Sequence, residues 1–196
     1  MSHRTSHLPK PRNAVHGFVR ELRYHEPSRQ LLALAYILVL AILAEPGGLP
    51  VFYWIGFTIA GLGMLIRLWA SGHVKKNKEL ATDGPYAYVR HPLYVGNILM
   101  LTGFCIASQL WWSIPVMLGF LWFYYPTAIN YEDLKLRRLF GERWDQWASN
   151  TRALLPRFKG RSFRFGGWSF KQSLMGNGEP LILLYAVYCA WHLVAL

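Results

Sequence analysis

The stretch PVFYWIGFTIAGLGMLIRLW, residues 50–69, carries one charge in twenty positions, and that charge, Arg67, falls in its last turn. A helix crossing about 30 Å of hydrocarbon needs roughly 17–25 apolar residues, so this run reads as a transmembrane helix. Four further apolar runs accompany it, at residues 31–44, 93–107, 110–128 and 181–196. The run 110–128 is also long enough outright. The other three are slightly short, and flanking aromatics, snorkelling or a thinned bilayer would make up the difference. Gly61 and Gly63 are small enough to let a second helix approach closely. The expectation is an all-α, polytopic integral membrane protein, residues 1–196 forming one domain with about five transmembrane helices.

Composition agrees with that reading. The chain has 196 residues, which suits one domain, and is 53% hydrophobic and 16% charged, against a usual charged share of about 25%. A soluble bundle of this size would have to hide too many Trp, Phe and Leu side chains. The cations give the orientation. They lie before the first run (Arg4 to Arg29), at the end of the second and between it and the third (Arg67, Lys75, Lys76, Lys78, Arg90), and between the fourth and fifth (Lys135 to Lys171). The connections on the opposite side, around Glu45 and around Gln109, carry none. Cation-loaded loops face the cytoplasm, so the N-terminus is expected inside and the C-terminus outside, in a bacterial inner membrane or its equivalent. The net charge of +11 is then a signal of topology and of anionic lipid as a partner. Nucleic acid is excluded as a partner, because the cations are scattered over three separate loops. Cys105 and Cys189 each lie inside an apolar run, where they read as small buried residues and form neither a disulfide nor a metal pair. No metal site and no cleavable leader are expected.

Residues 1–12 are expected to be disordered. Over residues 13–26, Val15, Phe18, Val19 and Leu22 follow the i, i+3, i+4, i+7 stripe of a helix lying on the headgroups or packing on the protein. Glu45-Pro46-Gly47-Gly48 is a strong helix stop. Residues 131–150 read as a continuation of the fourth helix beyond the bilayer, with Glu132, Leu136, Phe140 and Trp144 sharing one face. Gly141 loosens that helix, and Pro156 ends the stretch beyond it. Residues 161–171 alternate cations with Phe163, Phe165, Trp168 and Phe170, the pattern of an interfacial anchor or of a lid.

The chemistry concentrates in Gly84-Pro85-Tyr86-Ala87-Tyr88-Val89-Arg90-His91-Pro92-Leu93-Tyr94, a proline-stiffened polar loop running into the third helix. The short turn between runs three and four makes them an antiparallel hairpin, so His91 at the start of one lies beside Glu132 at the end of the other. Arg67 ends at the same membrane edge. Ionisable groups in such places are candidates for function. On spacing alone, a structural Arg–Glu clamp fits equally well.

Gly84-Pro85-Tyr86, Arg90-His91-Pro92-x-Tyr94-x-Gly96, Glu132-Asp133-x-x-Leu136-x-x-x-Phe140-Gly141 and Pro156 together resemble the isoprenylcysteine carboxyl methyltransferases and the wider group of integral-membrane phospholipid methyltransferases. The resemblance covers residues 61–158. It implies an enzyme that binds S-adenosylmethionine on the cytoplasmic side, under a loop and C-terminal helix, and methylates a lipophilic acceptor entering from the bilayer: a prenylcysteine-like carboxylate, a lipid, or a small thiol or amine. Tyr86, His91, Pro92 and Tyr94 would line the cofactor pocket. Leu80 and Ala81 would wall the adenosine, Glu132 would hold the methionine ammonium, and Arg90 or Lys78 its carboxylate. Ala128 stands where the eukaryotic carboxyl methyltransferases place an acceptor-binding arginine one turn before the glutamate, and Arg67 is the candidate substitute. Two other readings compete. Membrane sterol reductases share an Arg-His-Pro-x-Tyr loop and a Gly-x-x-Trp pattern like that of Gly141 and Trp144 and would require NADPH, and a non-enzymatic membrane scaffold would require no cofactor.

Overall fold

Proline and capping side chains set where the helices begin. The computed structural model describes residues 10–45, 47–74, 79–158, 167–175 and 178–195. Asn13 opens α1 (Ala14–Tyr24), its Oδ1 accepting the His16 amide at 2.7 Å, which satisfies one of the donors that a helix N-terminus leaves free. His25 Nδ1 accepts the Ser28 amide at 3.2 Å at the start of α2 (Glu26–Leu43). α3 (Pro50–Ser71) and α4 (Pro92–Ser108) each start on a proline, where the missing N–H costs nothing. A 3-10 turn, Gly84–Ala87, lies ahead of α4. α5 (Ser113–Phe140) ends at Gly141, whose φ of +52° breaks the helix before α6 (Glu142–Ser149) begins. The continuous helix expected over residues 131–150 is therefore two helices, because only glycine takes that backbone conformation at no steric cost. α7 (Phe170–Met175) and α8 (Glu179–Ala195) complete the chain.

The protein is all-helical. Among the described residues there is no strand, only an isolated parallel bridge between Val89 and Arg152. Each of the five apolar runs forms a helix or most of one: α2, α3, α4, α5 and α8. Among the described residues α3 is long and apolar enough by itself to cross a bilayer, the bent pair Ala14–Tyr24 and Pro27–Leu43 meets the same criteria only if taken together as one span, and α4 and α8 are shorter apolar helices of 17 residues. α5 has the length expected of the fourth run, at 28 residues, while Tyr124, Tyr125, Pro126 and Asn130 dilute its apolar content. The expectations for residues 1–9, for Lys75, Lys76 and Lys78, and for most of the segment 161–171 lie outside the described residues.

α3 and α4 meet backbone to backbone. A Cβ placed on Gly56 would come within 2.5 Å of the Gly103 carbonyl oxygen, and one on Gly63 within 2.6 Å of the Gly96 carbonyl oxygen. Gly63 thus serves the close contact read from the sequence. Gly61 does not, because it faces open space, and Gly56 takes its place. At the far end of this pair, Gln109 adopts φ +57° to end α4, and its side chain exchanges hydrogen bonds with the Leu49 backbone at 3.0 and 3.3 Å. That pins the α4–α5 turn to the α2–α3 connection.

One core joins Ile37, Leu40 and Ala41 of α2 to Leu101, Phe104 and Cys105 of α4, with Met117 of α5 and Cys189 and Leu193 of α8. A second, smaller one gathers Tyr94, Tyr124, Tyr125 and Ala128 at the other end. Outward, the helices present Trp54, Leu62, Leu65, Trp122, Leu181, Leu184 and Trp191 to the surroundings, with Trp54 74% and Trp122 76% exposed. α1 crosses the outside of α5, where Arg23 Nε donates to the Phe123 carbonyl at 3.0 Å and Tyr24 meets Tyr131 edge-on. Its stripe is split: Leu22 packs inward while Val15 and Phe18 stay exposed.

Candidate functional site

The loop before α4 is held by two neighbours the sequence reading did not supply. Gly84, at φ +57°, lies against the His73 ring so closely that a Cβ there would stand 2.5 Å from the ring. The chain after α6 then runs alongside. Arg90 N donates to Arg152 O at 2.8 Å, His91 N to Ala153 O at 3.1 Å, and Arg157 N to Tyr88 O at 3.1 Å. Trp147 of α6 adds an indole hydrogen bond to the Tyr86 carbonyl at 3.1 Å. The Arg90 guanidinium closes the clamp, donating to Thr151 O at 2.5 Å and to Asp133 Oδ2 at 3.0 Å.

This clamp delivers His91 to the end of α5. One ring nitrogen, Nε2, lies 2.9 Å from Asp133 Oδ1, and the other, Nδ1, lies 3.4 Å from Glu132 Oε2. Tyr94 stacks on the imidazole and donates its hydroxyl to Glu132 Oε1 at 2.5 Å. Burial alone would push the His91 imidazole down, but the two carboxylates outweigh it and hold the group above its ordinary value. Burial likewise works to raise Glu132 and Asp133, yet the facing imidazolium, helped by the Tyr94 hydroxyl for one and by Arg90 for the other, holds both below the usual carboxylate range. The Tyr86 phenol is raised, first by burial and then by the charge of Glu132. Glu132 keeps 41% of its side chain exposed, because it faces a cavity.

That cavity holds about 810 Å³, toward the upper end of the roughly 300–1,000 Å³ usual for ligand pockets. Leu80, Ala81, Tyr86, Arg90, His91, Tyr94, Glu132 and Arg67 all line it, so every candidate residue except Pro92 faces one space. Pro92 is fully buried behind the wall as the first residue of α4. Lys78 lies outside the described residues. From the polar end the cavity extends between helices, past Ala33, Ile37, Leu101, Phe120 and Ile182. Arg67 has a partner that sequence reasoning missed: Glu179, fully buried in the first turn of α8, accepts from Nε at 2.9 Å and from Nη2 at 2.8 Å, while Nη1 bonds Asn97. The guanidinium offered as a substitute acceptor-binding cation is therefore already neutralised. Asp133, Asn97, Arg29 and Trp147 were also missed. Only Asp133 carried a signal, as the second acid of Glu132-Asp133. Among the described residues no group of three or more His, Cys, Asp or Glu side chains is placed to hold a metal ion.

The arrangement fits a sulfonium-bearing methyl donor. A half-exposed carboxylate suits its ammonium, aromatic rings suit its cationic sulfur, and the apolar extension leaves room for a second molecule. Residues 51–143 match the phospholipid methyltransferase family. The chain is 37% identical over 106 residues to the nickel-cobalt-cadmium resistance protein of Alcaligenes xylosoxydans xylosoxydans, covering 53% of this chain and 47% of that one. It is 34% identical to the cobalt-zinc-cadmium resistance protein of Cupriavidus metallidurans, covering 55% and 50%. It is 33% identical to the protein-S-isoprenylcysteine O-methyltransferase of Schizosaccharomyces pombe, covering 42% and 36%. The chain thus spans half or less of the length of these relatives. No solved structure matches it.

Proposed function

We propose, from the match of residues 51–143 to the phospholipid methyltransferase family, that the protein is an integral-membrane, S-adenosylmethionine-dependent methyltransferase acting on a lipophilic acceptor at the cytoplasmic face. The observation that carries this reading is the convergence of Tyr86, His91, Tyr94 and Glu132 on one cavity whose far end is apolar. Bound there, the cofactor would supply an electrophilic methyl group on a sulfonium sulfur. The protein's share is placement and exclusion of water, a contribution worth several kcal/mol (about 7–11 in the best-oriented cases).

Glu132 is the residue for the ammonium, since its carboxylate faces the cavity and is kept ionised by His91 and Tyr94. Leu80 and Ala81 wall the adenosine, and Tyr86, which lines the same space, is the aromatic neighbour for the sulfonium. Arg90 acts mainly as the brace of the loop, because both terminal nitrogens are spent on α5 and on the backbone at the end of α6. In this reading α2, α3, α4, α5 and α8 are the five spans. Their exposed Trp and Leu side chains form the lipid-facing band, and the cation-rich connections put the cavity on the cytoplasmic side. Interior apolar lining from α2, α5 and α8 gives an acceptor tail its path from the bilayer.

The test is product identification. Purified protein incubated with methyl-labelled S-adenosylmethionine and host lipid extract is expected to yield one dominant labelled species in the organic phase. Labelling no greater than in a protein-free control would refute the reading.

A further inference from the structure

α1 is turned inside out for a helix in water. Its cations point toward the protein. Arg20 is buried, and Arg23 donates to the Phe123 carbonyl at 3.0 Å with its guanidinium carbon 5.4 Å from the centre of the Phe123 ring. Val15 and Phe18, three residues apart and so on one face, point away from it and are 71% and 70% exposed. A single apolar side chain on a surface is ordinary. A helix that tucks arginines inward and shows valine and phenylalanine reverses the usual amphipathic arrangement, and that is stable where the surroundings are themselves apolar.

The direction of the helix says which apolar surroundings these are. α1 meets α2 at 74°. With α2 upright as the first of the five spans, α1 lies close to the membrane plane at the cytoplasmic end of α2. A helix in that position buries its apolar face about 5–10 Å into the boundary between headgroups and acyl chains. The chain enters α1 through Lys10 and Arg12, both exposed, and cations beside a membrane surface are drawn to anionic headgroups. A second copy of the chain is the poorer occupant. Two side chains fall well short of the roughly 800 Å² per partner of a stable interface, and a two-fold contact would bring the cations of both copies together.

We propose that α1 is a membrane-surface helix: Val15 and Phe18 enter the acyl boundary of an anionic leaflet, and Lys10 and Arg12 bind its headgroups. This rests on the integral-membrane part of the proposed function and names the partner of a face outside the cavity.

The test places a nitroxide spin label on one residue at a time in the full-length protein, through Val15→Cys, Phe18→Cys, His16→Cys and Leu62→Cys. Cys105 and Cys189 are fully buried and leave the label to the introduced thiol. Each sample is reconstituted in vesicles of equal parts phosphatidylglycerol and phosphatidylcholine, and of phosphatidylcholine alone. Relaxation by dissolved oxygen, which concentrates in hydrocarbon, is compared with relaxation by a water-soluble nickel complex. In anionic vesicles the labels at the Val15 and Phe18 positions are expected to favour oxygen severalfold, and the label at the His16 position, on another face of α1, to favour nickel. Lys10→Glu combined with Arg12→Glu is expected to lower the oxygen preference about fivefold or more in anionic vesicles and to leave it unchanged in phosphatidylcholine alone. Labels at the Val15 and Phe18 positions that favour nickel in both kinds of vesicle overturn the proposal. So does shielding from both reagents, which would give this face to a second copy, and so does equal immersion in the two lipids with no effect of the charge reversal. Leu62, 52% exposed on α3, keeps this apart from failure of the reading beneath it: a label there that favours nickel would sink the integral-membrane reading itself.

Discussion

His91 takes its charge from two carboxylates, and the sign of that coupling determines how stability responds to pH. Its folded value lies above the ordinary imidazole value of about 6.5. The stabilisation it brings is fully present below that pH and is lost as pH rises through the raised folded value. Glu132 and Asp133 run the other way: held below the ordinary carboxylate values of about 4, they stabilise above that range and lose the contribution as pH falls through the lowered folded values. The cluster therefore contributes most between about pH 5 and 6.5. Melting temperatures of detergent-purified protein, taken from pH 5 to 9, are expected to fall on the alkaline side, and His91→Gln is expected to flatten that fall. An identical alkaline slope in the variant would count against the assigned charge state. The pairing of His91 with Glu132 was legible in the sequence, because a short hairpin can bring the start of one helix only to the end of the next. Asp133, Arg29 and Glu179 were not. Which side chains of a helix end turn inward depends on its rotation, and Glu179 reaches Arg67 across 112 positions of chain, a separation on which no local pattern reports.

At the level of elements, the tightest joint is between α3 and α4. The small residues that permit it are Gly56 and Ala60 against Gly103, and Gly63 against Gly96. Gly103→Ala would drive a methyl group into the Gly56 backbone and is expected to destabilise the protein by about 1–3 kcal/mol, the usual cost of overpacking. Gly61→Ala is the control: it meets nothing and should leave stability unchanged or slightly higher, since alanine favours the helix. Thermal or denaturant unfolding of the two variants checks the pair, and equal effects would contradict the close-contact account. The helices themselves were readable from the apolar runs and the prolines that start them. Two features were not. The split between α5 and α6 at Gly141 depends on a positive φ that a glycine permits but does not demand. The clamp of residues 151–157 on the loop before α4 is made of backbone hydrogen bonds, which leave no mark in side-chain pattern.

Over the whole molecule, α2, α3, α4, α5, α6 and α8 and the loop before α4 all contribute walls to the same space. Its polar end is built from groups that satisfy one another, His91 between Glu132 and Asp133, Arg90 on Asp133 and Arg67 on Glu179, with the Glu132 carboxylate still partly exposed to the space. In the proposed reading, the exposed apolar flanks and the cation-rich connections would set this chamber at a membrane edge. Its volume and its apolar extension could not be foreseen, because interchangeable Leu, Phe and Ile side chains define it by position and not by type. The claim on which the account depends is that this chamber binds an adenosyl cofactor through the Glu132 carboxylate. Calorimetric titration of S-adenosylhomocysteine into detergent-purified protein tests it directly. Saturable one-to-one binding is expected, weakened about tenfold or more by Glu132→Gln, in keeping with loss of a charge-assisted hydrogen bond. Absence of binding, or equal affinity in the two proteins, would contradict it.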